Sequence, residues 1–241
     1  MKSHVDIIIP AYNPGAEIID AVISCYKQSY DNFTVTVIDD NSDEPVERLL
    51  SDFQGINYIR NDKNLGPGGA RNVGIRATSG EYISLLDSDD IMMPDKLALS
   101  VAELQADPDV GLVCGNYRRL INRSRLLPPF YRRPIKVDYE SLMRQNFVAS
   151  GSTTFRRSAA EDVGLFSEKY FISEDFDMWL RISEEYKVKY IHDILYYYSV
   201  VPSGSSLTQR EDLQSSQESN IAEIKTASRN RIREKSLQGG G

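Results

Sequence analysis

Residues 80–97 read GEYISLLDSDDIMMPDKL, and the junction inside them decides how the rest of the chain is understood. Tyr82-Ile83-Ser84-Leu85-Leu86 is a short apolar run that reads as a buried strand. It ends in Asp87, Asp89 and Asp90, three carboxylates within four residues. Like charges packed that closely repel, and each loses hydration where the strand end is buried. Asp is favoured before a helix N-terminus, so capping and solvated loop acidity account for a single one of them. A calcium loop of the EF-hand kind needs a glycine and a distal glutamate at spacings absent here. A hard divalent ion, held by one or two carboxylates and bridging a diphosphate, would offset the repulsion of all three.

Outward from this junction the first 115 residues alternate strand and helix patterns. Val5 to Ile9, Phe33 to Ile38, Ile56 to Ile59, Tyr82 to Leu86 and Val110 to Cys114 are short, β-branched or aromatic. Helical candidates fall at 17–28, 45–53, 69–78 and 94–106, the last with Pro94 near its first turn. The alternation predicts an α/β fold with a mainly parallel sheet flanked by helices. Ligands in such sheets sit at the carboxyl ends of the strands. The polar clusters PAYNPG, DDNSDE and DSDD follow the first, second and fourth strands, at those ends.

The chain has 241 residues, 41% of them hydrophobic and 26% charged, which suits a globular protein with a sizeable core. A net charge of −7 argues against nucleic acid as the general partner. Two cysteines, Cys25 and Cys114, make no disulfide framework and suit a reducing, cytoplasmic setting. The first apolar run is too short for a signal peptide and is interrupted by Pro10, and no window approaches the ~18 apolar residues of a membrane span. Any membrane association is therefore expected to be peripheral. The candidate surface is basic: residues 110–137 carry Arg118, Arg119, Arg123, Arg125, Arg132, Arg133 and Lys136 without one acid. Pro128, Pro129 and Pro134 predict a loop there. Beyond it, SGSTTFRRS reads as a strand, SEDFDMWLRISEEY as a helix, and VKYIHDILYYYSVV as one or two strands.

Five motifs occur in a particular order: VDIIIPAYN, VTVIDDNSDE, NLGPGGARNVGI, GEYISLLDSDD and SEDFDMWLR. In sequence and spacing they resemble family 2 glycosyltransferases, over roughly residues 4–207. The resemblance implies a GT-A fold binding a nucleotide-diphospho-sugar. It implies a single domain over 1–207, with a nucleotide-binding half (1–115) and an acceptor-binding half (116–207). Residues 208–241 would be a polar helical or flexible tail. The activity implied is inverting, metal-dependent transfer of one sugar from a UDP-sugar to a hydroxyl of a glycan or lipid-linked acceptor, in bacterial-type polysaccharide or surface-glycan synthesis.

Position by position, the resemblance places Mn2+ or Mg2+ on Asp89, with Asp87 near the cation and the ribose, Ser88 between them, and Asp90 as a support or helix cap. Pro10, Ala11 and Tyr12 would line the nucleoside pocket, and Asp39 and Asp40 would face uracil or ribose. Gly68 and Gly69 would admit the nucleotide closely, with Arg71 contacting it. A tight turn capping a helix is the plainer reading of those glycines. The family's base is the Asp of its "ED" pair, here Asp175, with Glu174 beside it as a positioning group. Trp179 on the same helix reads as core. One departure stands out. Family members often carry Arg and His close to the diphosphate where this chain has Ser199 and Val201, so Arg210 or the basic segment 118–136 is expected to compensate. The same departure supports an alternative, a catalytically weak or inactive nucleotide-sugar-binding relative.

Overall fold

A computed structural model describes residues 2–200 and 211–238; Val201 and Arg210 lie outside the described residues. Along the first half run β1 (Val5–Ala11), α1 (Glu17–Tyr26), β2 (Phe33–Asp39), β3 (Ile56–Arg60), α2 (Gly66–Ala77), β4 (Tyr82–Leu85), β5 (Ile91–Met92), α3 (Lys96–Ala106) and β6 (Val110–Ile121). The second half adds β7 (Arg125–Pro129), α4 (Tyr139–Arg144), β8 (Thr154–Arg156), α5 (Arg157–Asp162), α6 (Glu174–Glu185), β9 (Lys187–Val200) and α7 (Glu211–Gln238).

The strands form one nine-stranded sheet in the order β3-β2-β1-β4-β8-β6-β9-β5, with β7 paired to β6 outside that path. β3, β2, β1 and β4 are mutually parallel. β8 is antiparallel to both β4 and β6, and β9 is parallel to β6. Two reversals cancel. The carboxyl ends of β1, β2, β4, β6 and β9 therefore share one end of the sheet, and that end carries the acids.

Both faces are covered, as the near-continuous apolar strands require. Val5, Ile7 and Ile9 face α1 and α3 through Ile18, Val22, Leu97 and Val101, whereas Ile8 and Ile38 face α2 and α6 through Ala70, Ile75 and Leu180. Trp179 is fully buried, with ring centroids 5.7 Å from both Phe155 and Phe166, so it is core. α2 lies close to the sheet because Gly74 has no side chain; a Cβ there would meet Ile8 at 2.7 Å. α7 docks on α6 through buried Ile224 and an Arg231–Glu184 ion pair at 2.6 Å.

Several elements differ from the sequence reading. The 45–53 helix is only a 3-10 turn, Val46–Leu50, since Asp39 takes the Val46 amide from outside. SGSTTFRRS contributes just three strand residues, preceded by a 3-10 turn at Ser150–Ser152. The one or two strands read in VKYIHDILYYYSVV narrow to a single strand over the described residues, β9, whose pairing with β6 shifts register three times. The basic stretch expected as a loop is largely the β6–β7 hairpin, because Pro128 and Pro129 occupy an edge strand that tolerates a missing donor.

Candidate active site

Asp87, Ser88, Asp89 and Asp90 leave the carboxyl end of β4 as a tight turn, closed by the Asp90 amide donating to the Asp87 carbonyl at 3.1 Å. Asp90 is buried, and its Oδ1 accepts the Ser199 amide from β9 at 2.8 Å while Oδ2 has no partner. It is no helix cap, because α3 begins at Lys96 behind Asp95, which makes no capping bond. Burial, then the charges of Asp89 and Asp87, push the Asp90 carboxyl well above its ordinary range. Burial and Asp87 likewise raise Asp89, up to about 6. The acids thus repel one another in the absence of a counter-ion.

One cation beside the row was not anticipated. Lys96 is fully buried, and its Nζ donates to the carbonyls of Leu85 (2.6 Å) and Gly151 (2.8 Å). Burial lowers its pKa to about 7, against the attraction of Asp87 and Asp90. In the sequence it looks like any helix-start lysine, and only its contacts reveal it.

Arg71 joins the row to α6. Almost fully buried on α2, it donates from Nη1 to Glu174 Oε1 (2.6 Å) and from Nη2 to Asp87 Oδ1 (2.9 Å). Burial would lower its pKa, but Asp87, Glu174 and Asp175 outweigh that and raise it. Two carboxylates bond this one guanidinium, and the charge of Asp175 adds to theirs. Burial raises Glu174 and Asp175 above ordinary carboxylates even so, with Arg71 opposing in both. Asp175 accepts from Ser150 Oγ on Oδ2 (3.2 Å) and from the Phe176 amide on Oδ1 (2.6 Å). Ser173 does not cap α6. It sits in the left-handed region at φ 73°, and its hydroxyl is buried without a partner. Such strain beside chemistry needs the surrounding fold to hold it, and α7 contributes through Asn220 Nδ2, which donates to the Ile172 carbonyl at 2.9 Å.

Gly68 and Gly69 lie against protein side chains. A Cβ on Gly68 would meet Glu174 at 3.0 Å, and one on Gly69 would meet Leu65 at 2.6 Å. These glycines make room for protein side chains, and Arg71 is committed to two carboxylates.

The β1 and β2 ends are built differently. Pro10 and Ala11 pair with Ile38 and Asp39, the Ala11 carbonyl accepts the Asp40 amide at 2.8 Å, and Tyr12 is 54% exposed beyond them. Asp39 is fully buried and accepts from the Ser42 and Val46 amides, Tyr58 Oη and Arg60 Nη1. Burial works against its ionisation, but the donors from Tyr58, Ser42 and Val46 prevail and hold its carboxyl down to about 2. Asp40 Oδ1 accepts from Asn61 Nδ2 (2.7 Å) and the Leu65 amide (2.9 Å). Exposed Phe171, just ahead of Glu174, is a second aromatic that sequence reasoning missed; it lies over Gly66, where a Cβ would meet its ring at 2.8 Å.

Among the described residues no three His, Cys, Asp or Glu side chains converge as a metal-holding group. The donor set fits an ion that needs few protein ligands. Mg2+ and Mn2+ sites commonly use one or two carboxylates and complete the shell with phosphate oxygens and water. Asp89 and Asp87 are of that type.

The match to known proteins follows the same outline. The family described as Glycosyl transferase family 2 matches residues 6–164, and the chain belongs to it. It is accordingly a glycosyltransferase. It is 28% identical over 190 residues to the UDP-Glc:alpha-D-GlcNAc-diphosphoundecaprenol beta-1,3-glucosyltransferase WfgD of Escherichia coli, covering 78% of this chain and 73% of that one. Further relatives belong to bacterial polysaccharide synthesis. Among solved structures, S. aureus TarS 1-349 in complex with UDP superposes with a TM-score of 0.72 at 18% identity, covering 93% of this chain and 64% of that one. The mannosyltransferase PcManGT from Pyrobaculum calidifontis, in complex with GDP-Man and Mn2+, gives 0.67 at 21% identity, covering 85% and 59%. The fold is thus the GT-A fold.

Proposed function

We propose that this glycosyltransferase transfers one sugar, with inversion, from a UDP-sugar to a hydroxyl of a glycan or lipid-linked acceptor at the cytoplasmic side of surface-glycan synthesis. The observation that carries the reading is the convergence on one sheet end of the Asp87–Asp89 pair, with Asp89 raised, and a half-buried Asp175 with a raised pKa, Arg71 joining Asp87 to the neighbouring Glu174. Mg2+ or Mn2+ on Asp89 and Asp87 would neutralise the donor diphosphate as it leaves. Asp175 takes the proton of the attacking acceptor hydroxyl, and a carboxylate raised towards neutrality suits that task. Ser150 and the Phe176 amide hold its two oxygens in place. Glu174, tied to Arg71, is the positioning neighbour. Tyr12 borders the nucleoside pocket as an exposed ring, with Pro10, Ala11 and Asp40 beneath it. Asp39 supports that pocket from inside the protein, since the protein's own donors occupy both its oxygens.

A second reading, binding of a nucleotide-sugar with little turnover, has one observation in its favour. Ser199 stands where the family resemblance implies a basic residue, and its amide is spent on Asp90. UDP release and UDP binding, measured with Mn2+ across a panel of UDP-sugars, separate the two. Asp89→Ala is expected to lose metal-dependent UDP binding by roughly tenfold or more with the fold intact, since one direct ligand disappears. UDP and Mn2+ held as tightly as by wild type would sink the cation assignment, and tight binding without UDP release from any donor and acceptor pair would favour the second reading.

A further inference from the structure

Beyond the diphosphate contact expected of it from the sequence, the basic stretch has a shape that suggests another task. β6 and β7 form a hairpin at the carboxyl end of the sheet, pairing Leu120 with Leu126 and Ile121 with Arg125. On the other side of β6, Leu120 pairs with Ser199, whose amide holds Asp90. The hairpin therefore stands one strand away from the carboxylate row. Its turn is tied to α1 by an ion pair between Arg123 and Asp20. Lys136 is neutralised by Asp138.

Arg118, half-buried, donates to the Leu127 carbonyl at 2.7 Å, and the other four cations are open. Arg125, Arg132 and Arg133 are exposed, with no ion-pair partner among the described residues. Arg119 is exposed too, and its guanidinium lies 5.5 Å from the centre of the Phe130 ring. Phe130 stays 43% exposed although it stacks on Tyr117 at 4.6 Å and meets Tyr131 edge-on at 4.9 Å. Pro128 and Pro129 are exposed beside it. A merely solvated loop would scatter or pair its charges. Here four cations without an ion-pair partner among the described residues share one hairpin and its following segment with an anchored apolar edge, in a chain of net charge −7. The cations select an anionic surface, and the aromatic and proline edge selects one with an apolar interior, which a bilayer has and a polynucleotide backbone lacks.

We propose that the β6–β7 hairpin and the Phe130–Arg133 segment dock this protein on an anionic lipid bilayer, with the mouth of the site beside the lipid surface. Docking needs neither donor nor acceptor, so it goes beyond the transfer reaction and is tested apart from it. The full chain is sedimented with vesicles of phosphatidylcholine alone and with added phosphatidylglycerol, and the melting temperature is measured in parallel. Wild type should partition onto the anionic vesicles only, and less as salt rises. Each cation near such a surface contributes about fivefold in partition, so Arg132→Glu with Arg133→Glu should weaken binding roughly 25-fold or more. Melting should stay unchanged, and partition is read without nucleotide, so any diphosphate contact from this segment does not enter it. Phe130→Ser, at constant charge, should weaken partition severalfold. No binding of the wild type to anionic vesicles, or equal binding by the double variant, overturns the proposal. So does retention on the soluble polyanion heparin as tight as on vesicles with Phe130→Ser unaffected, because the patch would then read charge alone.

Discussion

Two strand ends in this protein carry adjacent acids, and they behave as opposites. Asp39 and Asp40, at the end of β2, are buried among donors supplied by the loop after β2, β3 and the turn before α2. Asp89, half-buried, and Asp90, buried, lie beyond β4 beside other carboxylates, with a single amide bonded to Asp90 and one of its oxygens left alone. The first arrangement depresses a carboxyl to about 2, and the second raises one to about 6. Burial acts the same way in both, so the donors decide the sign. One acid pair is finished by the protein, and the other is open to a cation. The Glu174–Asp175 pair lies between the two: both acids have donors, Glu174 a guanidinium and Asp175 neutral ones, yet burial still raises both.

The contrast can be broken at its finished end. Asp39→Ala would strand two amides, a phenol and the Arg60 guanidinium, at a cost of about 3–5 kcal/mol. For a chain of this size that corresponds to a melting temperature lower by roughly 6–20 °C. A loss within error would mean that the bonds to Asp39 do not organise the loop. Asp175→Asn tests the reactive member of the third pair. The amide keeps the shape and refuses the proton, so UDP release with acceptor should fall by about 100-fold with UDP affinity unchanged. Near-normal transfer would take the base role away from Asp175.

The smallest effect sharpens the comparison most. Asp89 has its pKa raised from 3.8 to about 6, so the unfolded chain gives up its proton first as pH rises. Stability of the metal-free protein is undiminished by this group below pH 3.8, declines through the interval, and bears the full penalty above about 6. Asp89→Asn should therefore stabilise the metal-free protein above that range, by about 1–2 kcal/mol after allowing for solvent screening. The gain should vanish in acid and be offset when Mn2+ is added to wild type. Thermal melts across pH decide it; a variant less stable than wild type at pH 8 would show that Asp89 is a finished acid like Asp39.

Periodicity in the chain was enough to reveal alternating strands and helices, a sheet covered on both faces, and polar clusters at the strands' carboxyl ends. These are local properties, set by which side chains recur every two or every three to four residues. Family motifs extended that reading to a glycosyltransferase, which the match over residues 6–164 bears out. What each acid does was not legible locally. Asp39 and Asp89 stand in similar sequence yet differ in what they meet, and the contacts of their neighbours span the chain: Arg71 meets Glu174 across 103 residues and Ser199 meets Asp90 across 109. The same holds for Lys96, buried by carbonyls from β4 and from Gly151, and for the basic stretch, whose prolines signalled a loop until β6 supplied an edge to pair with. Local pattern determines where a charge lies along an element. Only the folded chain decides whether it meets a donor, another charge or solvent, and electrostatic energy depends on that distance and burial rather than on sequence separation.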